Sequence, residues 1–132
     1  MDTKQVIVIR KDLGMRKGKI AAQATHATKM MLFQYAEFDN EGFRLDYHKY
    51  GEHSEAVKNW ISGLFTATVV SVDSEEDFLE IERTAKDKGL ITAKVTDAGK
   101  TEFHGVPTLT ALSIGPAKVE CFTGITDHLK LL

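Results

Sequence analysis

The sequence has little of what marks several large classes of protein. It has one cysteine, Cys121, in 132 residues, which excludes an internal disulfide framework and a multi-cysteine zinc site and suits a reducing cytosol. No apolar run approaches the roughly 20 residues that a membrane helix needs, and the first residues lead into a strand-like segment without a signal-peptide layout. The formal net charge of only −2 excludes a uniformly basic, histone-like binder. We therefore expect a soluble cytoplasmic protein with no membrane partner.

The small net charge conceals a strong segregation of charge along the chain. Residues 1–31 carry seven lysines and arginines against two aspartates, a net charge of +5, whereas residues 37–55 and residues 73–88 each carry a net charge of −4. A basic first quarter is suited to binding phosphates, because each phosphate that is neutralised releases condensed counterions. Composition alone leaves the alternative open that these charges form a solvated helix face.

Periodicity in the sequence predicts an α/β domain. The β-branched run at residues 5–9 is typical of a strand buried on both faces, and apolar residues spaced three and four apart predict a helix over about 18–37. Further strands are predicted over 66–72, 90–95 and 108–114, and further helices over 55–64, over 75–88 and near the end of the chain. This order indicates a single domain, 1–132, with a mixed four-stranded sheet flanked by helices on both faces.

One segment does not fit this order of strands and helices. Residues 38–55 contain glycines, aromatic residues and acids without a clear period. We interpret them as an irregular acidic insertion on the surface.

The segment from Gly14 to Ile20 resembles a phosphate-binding loop only in part. The spacing between its glycines is one residue too short, and Ile20 cannot hold magnesium, so nucleotide triphosphate hydrolysis is not expected. What remains is Lys19 in the first turn of a helix, beside backbone amides that suit an anion or an oxyanion. Gln23 and His26 follow on the same edge of that helix, although a polar stripe of this kind is more often solvated than catalytic.

A second candidate site lies in the loop after the predicted strand 90–95. Asp97 stands at the end of that strand, and Thr101 follows after small residues. If this strand runs parallel to the first one, Asp97 and Lys19 meet at the edge where open α/β sheets bind ligands. The alternative is a simple turn, since aspartate and glycine are ordinary turn residues. Thr110, on the last strand, brings a hydroxyl to the same place or only fills a β position.

Nothing in the spacing of the histidines predicts a metal site. The chain has five histidines, without an HExxH motif or another ligand spacing. We expect neither a metal nor another cofactor.

These motifs together resemble the type II peptidyl-tRNA hydrolases, the archaeal and eukaryotic kind. Residues 5–13 and 18–27 are similar to the family's opening, residues 96–102 to its second signature, and residues 111–116 and 127–132 to its ending. The resemblance implies a mixed four-stranded sheet flanked by helices, and hydrolysis, without a cofactor, of the ester that joins a peptide to tRNA. It places the catalytic lysine, aspartate and threonines on Lys19, Asp97, Thr101 and Thr110.

The expected partner is peptidyl-tRNA. The resemblance assigns Gln23 and His26 to substrate binding, and the basic first quarter adds the residues that we expect at tRNA phosphates: Arg10, Lys11, Arg16 and Lys17. The residues do not decide between a monomer and a homodimer.

A non-catalytic RNA-binding or regulatory protein on the same fold is the alternative. The acidic segment 38–55 favours a change of partner, whereas the intact Lys19, Asp97 and Thr101 argue against a loss of turnover.

Overall fold

A mixed four-stranded sheet forms the centre of the structure, a computed structural model that describes residues 1–100 and 102–132. Numbered along the chain, its strands are β1 Thr3–Arg10, β4 Ala67–Val72, β5 Thr92–Asp97 and β6 Thr108–Lys118; β2 and β3 form a separate hairpin. The strands lie in the order β4-β1-β6-β5, where β1 pairs parallel with β4 and antiparallel with β6, and β6 pairs antiparallel with β5. β1 and β5 therefore run in the same direction, as the sequence analysis required.

Helices cover both faces of this sheet, which confirms the predicted α/β class. They are α1 Lys17–Phe33, α2 Ser54–Ser62 and α3 Glu75–Asp87. Side chains of β1 alternate between the faces: Val6 and Val8 pack in the core beneath α3, and Ile7 and Ile9 pack in the core beneath α1. No helix within the described residues has the length and apolar character needed to cross a membrane.

The last strand is longer than the sequence predicts. β6 continues through Gly115 and Pro116 to Lys118, because its pairing with β1 resumes beyond an irregularity between Lys4 and Val6. Gly115 has a left-handed backbone (φ 89°), and a Cβ there would lie 2.9 Å from the Phe122 ring, so only glycine fits this position. The predicted last helix is correspondingly reduced to a 3-10 turn, Val119–Phe122.

Residues 38–55 are not irregular, and this part of the prediction is wrong. They lie largely in a hairpin of two short strands, β2 Ala36–Asp39 and β3 Gly42–Leu45, followed by 3-10 turns over Tyr47–His53. Strands of four residues that pair only with each other are too short to show a period in the sequence. The segment also enters the core, since Tyr50 is only 3% exposed and packs in one cluster with Val57 and Trp60.

Tyr50 yields a test of this packing. Its hydroxyl is buried without a hydrogen-bond partner among the described residues, and burial raises the pKa of Tyr50 to about 12. We expect Tyr50→Phe to be at least as stable as the parent, by up to about 1 kcal/mol, because an unsatisfied buried polar group is removed. Tyr50→Ala should lose about 3–5 kcal/mol, as truncated buried aromatic residues do.

Urea unfolding measures the free energy of unfolding of both variants, and the dependence of this free energy on urea concentration should be the same as in the parent. A Tyr50→Phe protein that is clearly less stable than the parent would contradict this interpretation of the hydroxyl.

Candidate active site

An ion pair between Lys19 and Asp97 lies at the carboxyl edge of the sheet. Lys19 is in the first turn of α1, shortly after the end of β1, and Asp97 is the last residue of β5. Because β1 and β5 are parallel, both residues reach the same edge, as predicted. The Lys19 Nζ lies 2.7 Å from the Asp97 Oδ2, and the side chains are 16% and 14% exposed.

The carboxylate of Asp97 accepts hydrogen bonds at both of its oxygens. The Gln23 Nε2 donates to Oδ2 at 3.2 Å, beside the Lys19 ammonium, and the Gly99 backbone N–H donates to Oδ1 at 2.7 Å. The hydrogen bond from Lys19, followed by that from the Gly99 amide, holds the pKa of Asp97 below its usual range. Asp97 is therefore ionised at neutral pH and keeps a negative charge beside the ammonium.

A second residue orients Gln23 beneath this pair. The Thr110 hydroxyl donates to the Gln23 Oε1, which leaves the Gln23 amide group directed at Asp97. Gln23 and Thr110 are both buried, and of the two only Gln23 lines the groove described below. The structure thus joins Lys19, Asp97, Gln23 and Thr110, whereas Thr101 lies outside the described residues.

The sequence analysis missed the roles of two residues of this site. Gly99 has a positive φ of 82°, and a Cβ at this position would lie 2.4 Å from the Val106 carbonyl oxygen, so its amide can approach Asp97 only because it is glycine. The spacing Asp97-Ala98-Gly99 is the signal that could have revealed this turn. The Phe103 ring lies with its centroid 5.8 Å from the Lys19 Nζ, and nothing in the sequence pointed to that contact.

The basic residues of the first quarter do not behave alike. Arg10 is 11% exposed in its side chain, forms an ion pair with Asp12 at 2.6 Å and donates to the Leu109 carbonyl at 3.2 Å. Arg16 is 84% exposed, with Glu102 at 3.2 Å, and Lys11 and Lys17 are exposed. Three of the four residues thus present charge to solvent, whereas Arg10 is engaged within the fold.

A groove of about 970 Å³ begins at this site and follows the outer side of β5. Asp97 and Gln23 line one end and Phe33 lines the other; the exposed His26 lies on its wall. In the described part of the chain, no three His, Cys, Asp or Glu side chains come close enough to hold a metal ion. The groove ends at the Asp97 carboxylate and the Gln23 amide, and Asp97 holds the Lys19 ammonium next to it. These groups suit a reaction at a carbonyl group.

Comparison with known proteins places this chain in a family. Residues 3–132 match the family described as Peptidyl-tRNA hydrolase PTH2. The chain is 40% identical over 129 residues to the peptidyl-tRNA hydrolase of Methanocaldococcus jannaschii, covering 98% of this chain and 99% of that protein.

Two further relatives extend the comparison. The chain is 39% identical over 129 residues to the peptidyl-tRNA hydrolase of Methanothermobacter thermautotrophicus, covering 98% of this chain and 99% of that protein. It is 33% identical over 130 residues to the probable peptidyl-tRNA hydrolase 2 of Dictyostelium discoideum, covering 98% of this chain and 55% of that protein. Matched over almost its whole length, the chain belongs to the peptidyl-tRNA hydrolase PTH2 family, the type II family.

Proposed function

We propose that this protein hydrolyses the ester bond between the peptide and the tRNA of peptidyl-tRNA and so releases free tRNA for reuse. The observation that carries this proposal is the Lys19–Asp97 ion pair, whose aspartate lines one end of the groove. The chain belongs to the peptidyl-tRNA hydrolase PTH2 family, which agrees with this chemistry. The same edge of the sheet exposes Lys11, Arg16 and Lys17, whose charge suits a polyanionic substrate.

The reaction needs an attacking water, stabilisation of a tetrahedral oxyanion and departure of a ribose hydroxyl. Lys19 supplies a positive charge beside the first amides of α1, which lack acceptors within the helix, so developing negative charge is stabilised there. Asp97 keeps the ammonium in place and offers acceptor oxygens that position the water. No cofactor enters this proposal.

The remaining polar residues take supporting roles in the proposal. Gln23 and Thr110 are positioning residues: their hydrogen bonds reach the substrate only through Asp97. Thr101 is assigned to the water or the ester carbonyl by the family resemblance alone. His26 contacts the substrate from the wall of the groove.

Two further points belong to this proposal. The protein acts in the cytoplasm, where translation produces its substrate, and a single cysteine suits that compartment. A homodimer is compatible with the proposal, provided that its interface leaves the ion pair and the groove accessible.

Lys19 and Asp97 are expected to act as one unit. Lys19→Ala and Asp97→Ala should each lower turnover of peptidyl-tRNA by at least about 10²–10³, or roughly 3–4 kcal/mol, as the loss of an oxyanion donor does. The double variant should be much less impaired than the product of the two single effects, because residues that act together are not additive. Single-turnover deacylation measures the rates, tRNA affinity should change little, and circular dichroism should show that both variants keep the native fold.

Lys19→Arg is the matched control for this pair. Guanidinium keeps the charge but not the compact geometry of an ammonium, so a low rate in this variant shows that geometry matters as well as charge. Near-normal turnover in Lys19→Ala would argue for the RNA-binding alternative instead.

The pKa of Asp97 gives a test that does not depend on substrate. Because this pKa is lowered in the folded protein, its contribution to stability is complete above the ordinary aspartate pKa of about 3.9 and disappears as the pH falls through the folded value. Removing the largest cause, in Lys19→Ala, should raise the pKa of Asp97 and weaken the loss of stability in acid. Carbon-13 NMR titration of the Asp97 carboxyl checks the direction, and an unchanged pKa would contradict the coupling.

Salt dependence tests the basic surface. We expect tRNA affinity to fall steeply with salt, and single neutralisation of Lys11, Arg16 or Lys17 to flatten the logarithmic slope by about one unit. Arg10→Gln should instead lower thermal stability, since its guanidinium is bonded within the fold. Lys88→Gln, an exposed lysine just after α3, is the control with an unchanged slope. An affinity that is independent of salt would exclude this binding surface.

A further inference from the structure

The two edges of the central sheet differ in whether another segment hydrogen-bonds to them. The edge at β4 is covered by the end of the chain: the Ser71 N–H donates to the Lys130 carbonyl at 2.9 Å, and the Leu132 N–H donates to the Val69 carbonyl at 3.1 Å. At the other edge, no strand from residues 1–100 or 102–132 pairs with the outer side of β5. Exposed edges attract extended chains and are usually blocked, so the open edge beside the active site calls for a function.

The backbone groups on that outer side can be identified from the pairing with β6. The Gly115 N–H donates to the Ile91 carbonyl at 2.8 Å, so Ile91, and with it Ala93, points its backbone groups toward β6. Thr92 and Lys94, which alternate with them, therefore point theirs outward. The Gln34 side chain reaches the Thr92 carbonyl from outside at 3.4 Å, which agrees with this assignment.

The groove described above runs along these outward groups. Its walls come from α1 and α3, and its far end is aromatic, with Phe33 and Tyr35. β5 has six residues and at about 3.3 Å per residue spans roughly 20 Å. An extended segment of about six residues therefore fits beside β5 and ends at Asp97.

We propose that the peptide of peptidyl-tRNA binds in this groove as an added β-strand, parallel to β5. This proposal rests on the proposed function, and the direction follows from chemistry. The scissile ester is at the C-terminus of the peptide and must lie at Lys19 and Asp97, which are at the C-terminal end of β5.

Strand addition also suits what this enzyme has to recognise. Peptides that leave the ribosome prematurely share a main chain and no common side chains. Main-chain hydrogen bonds to an edge strand bind an extended peptide whatever its sequence. The aromatic far end of the groove adds apolar contact area without demanding a particular side chain.

The experiment compares three substrates on one tRNA, so that the phosphate contacts are the same in all. They are N-acetylglycyl-tRNA, hexaglycyl-tRNA and hexasarcosyl-tRNA, in which N-methylation removes the peptide N–H donors. Two or three main-chain hydrogen bonds predict a KM for hexaglycyl-tRNA roughly tenfold to one hundredfold below that for N-acetylglycyl-tRNA. Hexasarcosyl-tRNA should lose most of this gain, and lengthening oligoglycine beyond about six residues should add little.

Two variants at one position separate the backbone from the side chain. Lys94→Pro removes an outward N–H, and the ratio of its two KM values, N-acetylglycyl-tRNA over hexaglycyl-tRNA, should fall toward one. Lys94→Ala keeps the N–H and loses only the side chain that contacts Glu82, and it should retain the ratio of the parent. The three substrates decide the matter on the parent protein even if Lys94→Pro does not fold.

The outcomes that overturn the inference are distinct. Equal KM values for N-acetylglycyl-tRNA and hexaglycyl-tRNA, or an equal gain for hexasarcosyl-tRNA, would overturn main-chain pairing and leave the hydrolase intact. A parent protein that sediments as a dimer, becomes a monomer in Lys94→Pro and ignores peptide length would assign the edge to a second copy of the chain. Cleavage of none of the three substrates would overturn the proposed function and this inference with it.

Discussion

The ion pair between Lys19 and Asp97 is the interaction on which the site depends. It joins the start of α1 to the end of β5, residues 78 positions apart, across the intervening strand β6. Withdrawing two charges from water is costly unless further hydrogen bonds satisfy them. Gln23 and the Gly99 amide supply those bonds to Asp97, and Thr110 fixes Gln23 in turn. The primary role of these surrounding polar residues is therefore to stabilise the ion pair and to fix its geometry.

The geometry of that pair constrains the fold around it. Lys19 and Asp97 meet only because β1 and β5 run in the same direction, which the single antiparallel strand between them permits. The same strand order leaves β5 at an edge, so the outer backbone groups of the strand that carries Asp97 pair with no other strand among the described residues. The strand order therefore explains why the ion pair lies at the end of β5 and why the exposed edge of β5 lies next to it.

The basic residues are grouped along the sequence, but they differ in how much of their charge is exposed in the folded protein. The segregation of basic residues into the first quarter is visible in the sequence, but their use is divided by burial. Arg10 is held by Asp12 and the Leu109 carbonyl, whereas Lys11 and Lys17 stay exposed at the edge that carries the ion pair. A net charge summed along the chain therefore overstates what a polyanionic substrate would meet.

Local patterns in the sequence were enough to predict the α/β class, the main strands and helices, and the spacing that puts Lys19 and Gln23 on one edge of α1. These features follow from local periods of two and 3.6 residues. It also pointed to Asp97 at a strand end, and its family motifs indicated the chemistry. The hairpin of β2 and β3 escaped prediction because four-residue strands show no reliable period. Three features became visible only in the folded protein: the Thr110 hydroxyl donates to Gln23, the Gly99 amide donates to Asp97, and β5 is an edge strand of the sheet within the described residues. These facts join residues up to 87 positions apart, and partners at such separations are chosen by strand order, which no local pattern encodes.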